Sequence, residues 1–205
     1  MLPIIDAAGW PIWLLIIASI IALSIIFERF WSLRASVVVP HGLLKEVVQD
    51  YRQAGVNEAL LKKLLDPRAP LMARVLASGL KNVGSSREVM KESIEEAGRA
   101  ASLELERFLT LLGTIAALSP LLGLFGTVVG MIEIFGAQSP ATGNNPAQLA
   151  HGISVALYNT AFGIIVAVPS MGFYRHFRAR VDQLLVEMEQ QAIKLVEIVH
   201  GDRRN

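Results

Sequence analysis

The side chains of this sequence that could do chemistry inside a membrane are hydroxyls and an amide, found in two long stretches without charged residues. Thr127 lies in the first of these stretches, and Ser154, Asn159, Thr160 and Ser170 lie in the second. Such groups must find hydrogen-bond partners in a bilayer, because lipid tails offer none. Serine and threonine can also bond to a carbonyl of their own preceding helical turn. The residue types therefore fit either a polar channel lining or self-satisfied positions in packed helices.

Small residues accompany these polar groups at spacings of three and four. One set is Gly113, Ala116, Pro120, Gly123, Thr127 and Gly130. The other set is Gly152, Ala156, Thr160, Gly163, Ala167 and Ser170. Such stripes let helix backbones approach closely, so helix packing is the simpler interpretation, and a pore lining or a seat for a partner helix is the functional one. The functional interpretation selects as pore-lining or partner-facing Thr127, Thr160, Ser154, Asn159, Gly123, Gly130, Gly163 and Ser170.

Other kinds of site find no support in the sequence. The four histidines are scattered, and none of their spacings is typical of a metal site. The glycines around Gly126 lack the lysine of a phosphate-binding loop, and the chain has no cysteine. We therefore expect no enzyme, no cofactor and no metal. The acid nearest to the candidate residues is Glu133, which is either a residue at the mouth of a pore or a solvated helix end.

The elements that must position these groups are three uncharged stretches, Ala7–Phe27, Phe108–Ile132 and Gly152–Tyr174. As helices they would be roughly 31, 37 and 34 Å long, enough to cross a hydrocarbon core of about 30 Å. Hydrophobic residues make up 53% of the chain and charged residues only 18%, which together with these three stretches excludes a soluble globule. The first stretch has no basic residue before it, so we expect a retained anchor that faces lipid rather than a cleaved signal.

The positive charges predict how these helices are oriented. Of the 19 Lys and Arg residues, 13 lie in residues 28–107 and the remaining six lie after Tyr174. The positive-inside rule places both of these regions in the cytoplasm and the N-terminus outside. The predicted segments are a periplasmic stub with the first transmembrane helix (1–27), a cytoplasmic helical domain (28–107), the second transmembrane helix (108–132), a periplasmic loop (133–151), the third transmembrane helix (152–174) and a cytoplasmic C-terminal helix (175–205).

Apolar spacing predicts helices throughout the polar regions as well. Helices are expected over 42–65 with a break near Gly55, and over Leu71–Lys81. Ser85 and Glu88 fit a capping box that starts a helix running unbroken into the second membrane segment. The third membrane helix should continue to Val199. The predicted fold is thus an all-α integral membrane protein with three transmembrane helices and long cytoplasmic extensions. A ring-shaped homo-oligomer is expected, because the apolar first helix cannot fill the small faces of the other two.

Two motifs in the membrane stretches resemble a known family. The segment LSPLLGLFGTVVGMIEIF, residues 118–135, is similar to the signature of the ExbB/TolQ/MotA proton-channel family, nearest its ExbB branch. The segment GISVALYNTAFGIIVAVP, residues 152–169, resembles that family's third helix. The resemblance implies an inner-membrane pentamer around the single-span helices of an ExbD/TolR-type partner. Proton flow would then drive a TonB- or TolA-type protein that acts on the outer membrane.

The family pattern also assigns individual positions and leaves several functions open. Thr127 and Thr160 match the family's pore-facing threonines, whereas Val155 stands where enterobacterial members carry a glutamate. The proton would then be handled by a membrane aspartate of the partner. The alternatives to an ExbB-type channel subunit are a TolQ-like subunit for envelope maintenance and a structural scaffold for a partner that alone handles protons. A small-solute carrier is disfavoured, because no intramembrane charge and no inverted repeat occur.

Overall fold

The computed structural model describes residues 8–137 and 146–201, and these residues form eight helices and no strand. The helices are α1 (Ile12–Ser32), α2 (Ala35–Val38), α3 (Leu43–Ala54), α4 (Glu58–Leu64), α5 (Leu71–Lys81), α6 (Arg87–Glu106), α7 (Leu109–Ala137) and α8 (Pro146–Val199). Three helical stretches are long and apolar enough to cross a membrane: Ile12–Ser32, Arg87–Gly136 and Gly152–Val199. The predicted all-α membrane fold with three spanning helices is confirmed.

Glycine and asparagine set the ends of the short helices. Helix α3 begins after Gly42 and ends at Gly55, and both glycines have positive φ, at 91° and 65°. An L-residue with a side chain rarely adopts that conformation, so glycine is the favoured residue at both ends. Asn57 then starts α4, because its side chain accepts a hydrogen bond from the Leu60 N–H at 2.7 Å. The break near Gly55 is therefore where the sequence predicts it.

The start of α6 differs by one residue from the predicted capping box. The N-cap is Ser86, whose Oγ accepts from the Val89 N–H at 3.4 Å. Ser85 belongs to the preceding turn, because its N–H donates to the Asn82 carbonyl at 3.0 Å. Glu88 contributes to this helix start. Hydrogen bonds from its own backbone N–H and from the Ser86 hydroxyl lower the pKa of its carboxyl.

Two long unbroken helices are predicted, and one of them is unbroken in the structure. Helix α8 is unbroken from Pro146 to Val199 and includes Pro169. The other stretch is divided at Arg107 and Phe108 into α6 and α7. There the Arg107 N–H donates to the Glu104 carbonyl at 3.4 Å, three residues back, which is the tighter bonding of a 3₁₀ turn.

The described residues form two compact units. The apolar unit contains residues 8–28, 108–137 and 146–176, and the polar unit contains residues 29–107 and 177–201. In the apolar unit, Ile12 and Leu15 of α1 and Leu112 of α7 are fully buried. Ile25 and Ile26 of α1 are buried as well, whereas other large side chains of this helix are exposed, among them Ile17, Ile20 and Leu23. The first span thus buries one face within the chain and leaves the remaining apolar surface for lipid or another chain.

The polar unit has its core around α5. Seven of the eleven residues of this helix are buried, namely Met72, Ala73, Val75, Leu76, Ala77, Gly79 and Leu80. Helix α6 packs closely against it, because a Cβ on Gly79 would lie 2.8 Å from Cδ1 of Ile94. The Ser78 hydroxyl, within 2.6 Å of that of Ser93, adds a polar contact between the same two helices. The last turns of α8 contribute buried residues at the predicted 3–4 spacing: Val181, Leu184, Met188, Ala192 and Leu195.

Candidate functional site

The two helices that carry the candidate residues, α7 and α8, run antiparallel and touch at glycines. A Cβ placed on Gly163 would lie 2.6 Å from the Ser119 carbonyl oxygen and 3.1 Å from Cα of Gly123. A Cβ placed on Gly123 would lie 2.8 Å from the Asn159 carbonyl oxygen. Only glycine fits at these two positions, because backbone atoms stand where a side chain would begin. We call this contact between α7 and α8 the glycine seam.

The seam continues in both directions along the helices. Toward the end of α7, Gly126 accommodates the side chain of Asn159, and a Cβ there would lie 2.5 Å from Cγ of the asparagine. Toward the start of α7, a Cβ on Gly113 would lie 3.1 Å from the Tyr174 ring. Gly126 is absent from the predicted stripe. The signal that could have found it is its spacing of three from Gly123 within the glycine-rich motif.

Asn159 links the seam to the start of the described chain. Its side chain is fully buried, and its Nδ2 donates to the Ala8 carbonyl at 2.7 Å. A buried amide needs such a partner, because an unsatisfied polar group in an apolar region is costly. Asn159 therefore holds the residues before α1 against α8.

Other predicted residues are also buried within the chain itself. Ser170 is 2% exposed, and its hydroxyl donates to the Val166 carbonyl of the preceding turn at 2.7 Å. Gly130 is buried as well. For these two residues, and for Gly123, Gly163 and Asn159, the structure shows the packing interpretation. A pore-lining or partner-facing role for these five residues stays a prediction.

Three candidate hydroxyls have exposed surface, and they differ in hydrogen bonding. Thr127 is half-buried, and its Oγ1 donates to the Leu124 carbonyl at 2.6 Å. Ser154 is exposed and donates to the Ala150 carbonyl at 2.9 Å. Thr160 is half-buried, its Cα lies against Gly123, and its hydroxyl makes no hydrogen bond to any residue that the structure describes. A threonine hydroxyl can both donate and accept, so Thr160 can serve a group that changes its protonation state.

The acidic residue nearest to the candidate hydroxyls is Glu133, and Val155 stands at the position of the family glutamate. Glu133 is in the last turns of α7 with an exposed side chain, which fits both interpretations of it. Val155 is in α8, and its side chain lies outside the described part of the structure. No carboxylate occurs in the sequence within the two uncharged stretches of α7 and α8. Within these two stretches the site therefore offers hydroxyls and no carboxylate.

The small faces of α7 and α8 are filled by each other within one chain. The reason given for a ring, that these faces need other copies, is therefore wrong. Much of the surface of the two helices is exposed, because only 33% and 35% of the most apolar window in their spans is buried. Exposed apolar side chains on α7 include Leu121, Leu124, Ile132 and Phe135, and those on α8 include Leu157, Ile164, Ile165 and Val168. This surface can contact lipid or further copies.

Comparison with known proteins identifies similar chains. A profile of the MotA/TolQ/ExbB proton channel family matches residues 68–190, which include the whole glycine seam. Biopolymer transport protein exbB1 of Vibrio cholerae is 29% identical over 188 residues, covering 88% of this chain and 80% of that protein. Tol-Pal system protein TolQ of Pseudomonas aeruginosa is 30% identical over 190 residues, covering 87% and 74%. Biopolymer transport protein ExbB of Salmonella typhimurium is 40% identical over 70 residues, covering 34% and 29%.

Proposed function

Because this chain belongs to the MotA/TolQ/ExbB proton channel family, we propose that it is the channel-forming subunit of an ExbB–ExbD-type complex in the bacterial inner membrane. In this proposal the complex uses the proton-motive force to drive a TonB-type protein for import across the outer membrane. The other partner is a single-span protein of the ExbD/TolR type. Relatives named as biopolymer transport proteins, exbB1 and ExbB, support the import role.

The observation that carries the proposal is the way the glycine seam leaves hydroxyls accessible. Contacts at Gly123 and Gly163 hold α7 and α8 backbone to backbone. Thr127 and Thr160 remain half-buried beside that contact. Neither uncharged stretch contains a carboxylate, so the proton carrier is a membrane aspartate of the partner, which the threonine hydroxyls contact in both of its protonation states.

We propose further that several copies form a ring around the partner helices, five as in the family pattern. The exposed apolar surfaces of α7 and α8 supply the contacts between copies and with lipid. Each copy then contributes Thr127 and Thr160 toward a common axis.

A second candidate function is the TolQ-like role in envelope maintenance. The TolQ match covers 87% of this chain at 30% identity, close to the 88% and 29% of the exbB1 match. A scaffold that leaves all proton handling to the partner is the third candidate. Both candidates keep the same fold and the same partner type.

The channel and scaffold functions are separated by proton flux into liposomes. Four samples are reconstituted: the full chain alone, a single-span partner with a membrane aspartate alone, the two together, and the full chain with the Asp→Asn variant of that partner. A pH-sensitive dye inside the liposomes reports the proton flux. We expect flux only for the unmodified pair, because this chain supplies the path and the partner supplies the carrier. Equal flux from the partner alone would contradict the channel function and favour the scaffold.

The proposed orientation places residues 28–107 in the cytoplasm and the 133–151 loop in the periplasm. The chain has no cysteine, so a single introduced one reports its own side of the membrane. We expect Ser139→Cys, which lies outside the described residues, to react with an impermeant thiol reagent added to the periplasmic side. Ser85→Cys, the matched serine substitution, should react only after the membrane is permeabilised. The reverse pattern would contradict this orientation.

A further inference from the structure

The polar unit contains a cavity of about 470 Å³ whose wall is rich in arginine and serine. Arg29 and Ser32 come from the last turn of α1, Arg68 from the turn before α5, and Arg74 from α5 itself. Glu104 of α6 is the one acidic residue of the lining. Three guanidinium groups against one carboxylate give the wall a formal net charge of +2.

Arg29 is the most buried of these cations. Arg29 is only 6% exposed, and its Nη1 donates to the Leu105 carbonyl at 3.0 Å. A buried charge is tolerated when hydrogen bonds hold it, because transfer from water without them is very costly. The guanidinium therefore has a fixed position in the wall of the cavity.

The other two arginines differ in their partners. Arg74 forms an ion pair with Glu104, with 2.9 Å between Nη1 and Oε2. The backbone N–H of Arg68 donates to Oδ1 of Asp66 at 2.7 Å, which shapes the turn that carries it. The Arg68 guanidinium makes no ion pair with any residue in the described ranges. The cavity thus has a positive group that is available to a ligand.

Ser32 is the second, independent sign of a ligand. Its Oγ is buried and has no hydrogen-bond partner among the described residues. A buried hydroxyl without a partner is destabilising, and such groups in folded proteins usually meet a bound molecule or water. A hydroxyl donor beside guanidinium groups matches the oxygens of a phosphate, because guanidinium binds phosphate with two parallel hydrogen bonds.

We propose that this cavity binds a phosphate group, and that its source is the headgroup of an anionic phospholipid. Arg29 and Ser32 follow within five residues the uncharged stretch that ends at Phe27, so they lie where the first span leaves the hydrocarbon. Trp31, between them, is 67% exposed, and exposed tryptophan is typical of the headgroup level. The proposal concerns lipid binding by one chain and does not depend on the proposed channel function.

The test uses the delipidated full chain in detergent and its thermal unfolding midpoint. Short-chain phosphatidylglycerol, short-chain phosphatidylcholine and inorganic phosphate are titrated separately. We expect phosphatidylglycerol to raise the midpoint and phosphatidylcholine to have little effect, because the excess positive charge of the wall favours a net negative headgroup. Arg68→Gln should weaken the apparent affinity for phosphatidylglycerol about tenfold, the loss expected for one charge-assisted hydrogen bond.

Arg99→Gln is the matched control, since Arg99 is an exposed arginine that does not line this cavity. Arg68 is also exposed, so its variant should fold, and Ser32→Ala provides a second variant that removes only the hydroxyl. Equal responses of the Arg68 and Arg99 variants to both phosphatidylglycerol and phosphate would overturn the proposal. If millimolar inorganic phosphate raised the unfolding midpoint and phosphatidylglycerol raised it no further, the proposal that the phosphate belongs to a lipid headgroup would be contradicted.

Discussion

Replacement of Thr160 by valine (Thr160→Val) is expected to abolish the activity that the proton gradient drives, while assembly with the partner stays intact. Valine keeps the shape of threonine and removes the hydroxyl, which makes no hydrogen bond within the described residues and is therefore available to the partner's carboxylate. A hydrogen bond to a charged group contributes roughly 1.5–3 kcal/mol, so we expect at least about a tenfold loss. Thr127→Val should act in the same direction, and serine at either position should be tolerated.

The measurement is co-purification of the partner together with gradient-dependent activity of the pair. Thr114→Val is the matched control, because Thr114 is an exposed threonine of α7, the helix of Thr127, and its hydroxyl donates to the Thr110 carbonyl of the preceding turn at 2.8 Å. Full activity of both the Thr127 and Thr160 variants would remove the channel function in favour of the scaffold. We also expect that Val155→Glu is not needed for activity, because the partner's aspartate carries the proton. The substitution should instead impede activity, since it adds a charge within a membrane span.

Alanine at Gly163 is expected to destabilise the protein strongly. The new methyl group would stand 2.6 Å from the Ser119 carbonyl oxygen, and α7 and α8 would have to move apart. Overpacking a tight contact costs typically about 1–3 kcal/mol. The damage should extend to Asn159, whose hydrogen bond to Ala8 depends on the position of α8.

Gly172→Ala is the control, because Gly172 is in the same helix and a Cβ there meets nothing within 4 Å. That substitution should be neutral or slightly stabilising, since alanine favours a helix over glycine. The two variants are compared by the yield of folded protein in mild detergent and by the thermal unfolding midpoint. If Gly163→Ala were as stable as Gly172→Ala, the helices would not be in backbone contact at the seam.

The sequence by itself determined the helical class and the three membrane spans. Each uncharged stretch is long enough to cross a bilayer, and a spanning segment that must satisfy its own backbone forms a helix. It also determined the shorter helices of residues 42–81, because glycines with positive φ and a 3–4 apolar spacing are local signals. The exact start of α6 was missed by one residue, since Ser85 and Ser86 both suit an N-cap and the preceding turn decides between them.

Only the tertiary structure decided what each stripe of small residues contacts. Spacing specifies one face of a helix and says nothing about what covers that face, so the seam between Gly123 and Gly163 could not be distinguished from a pore lining. The bond from Asn159 to Ala8 joins residues 151 positions apart, beyond the reach of any local pattern. The cavity around Arg29 and Ser32 is equally a product of folding, because its charged wall combines residues that are remote along the chain and meet only in three dimensions.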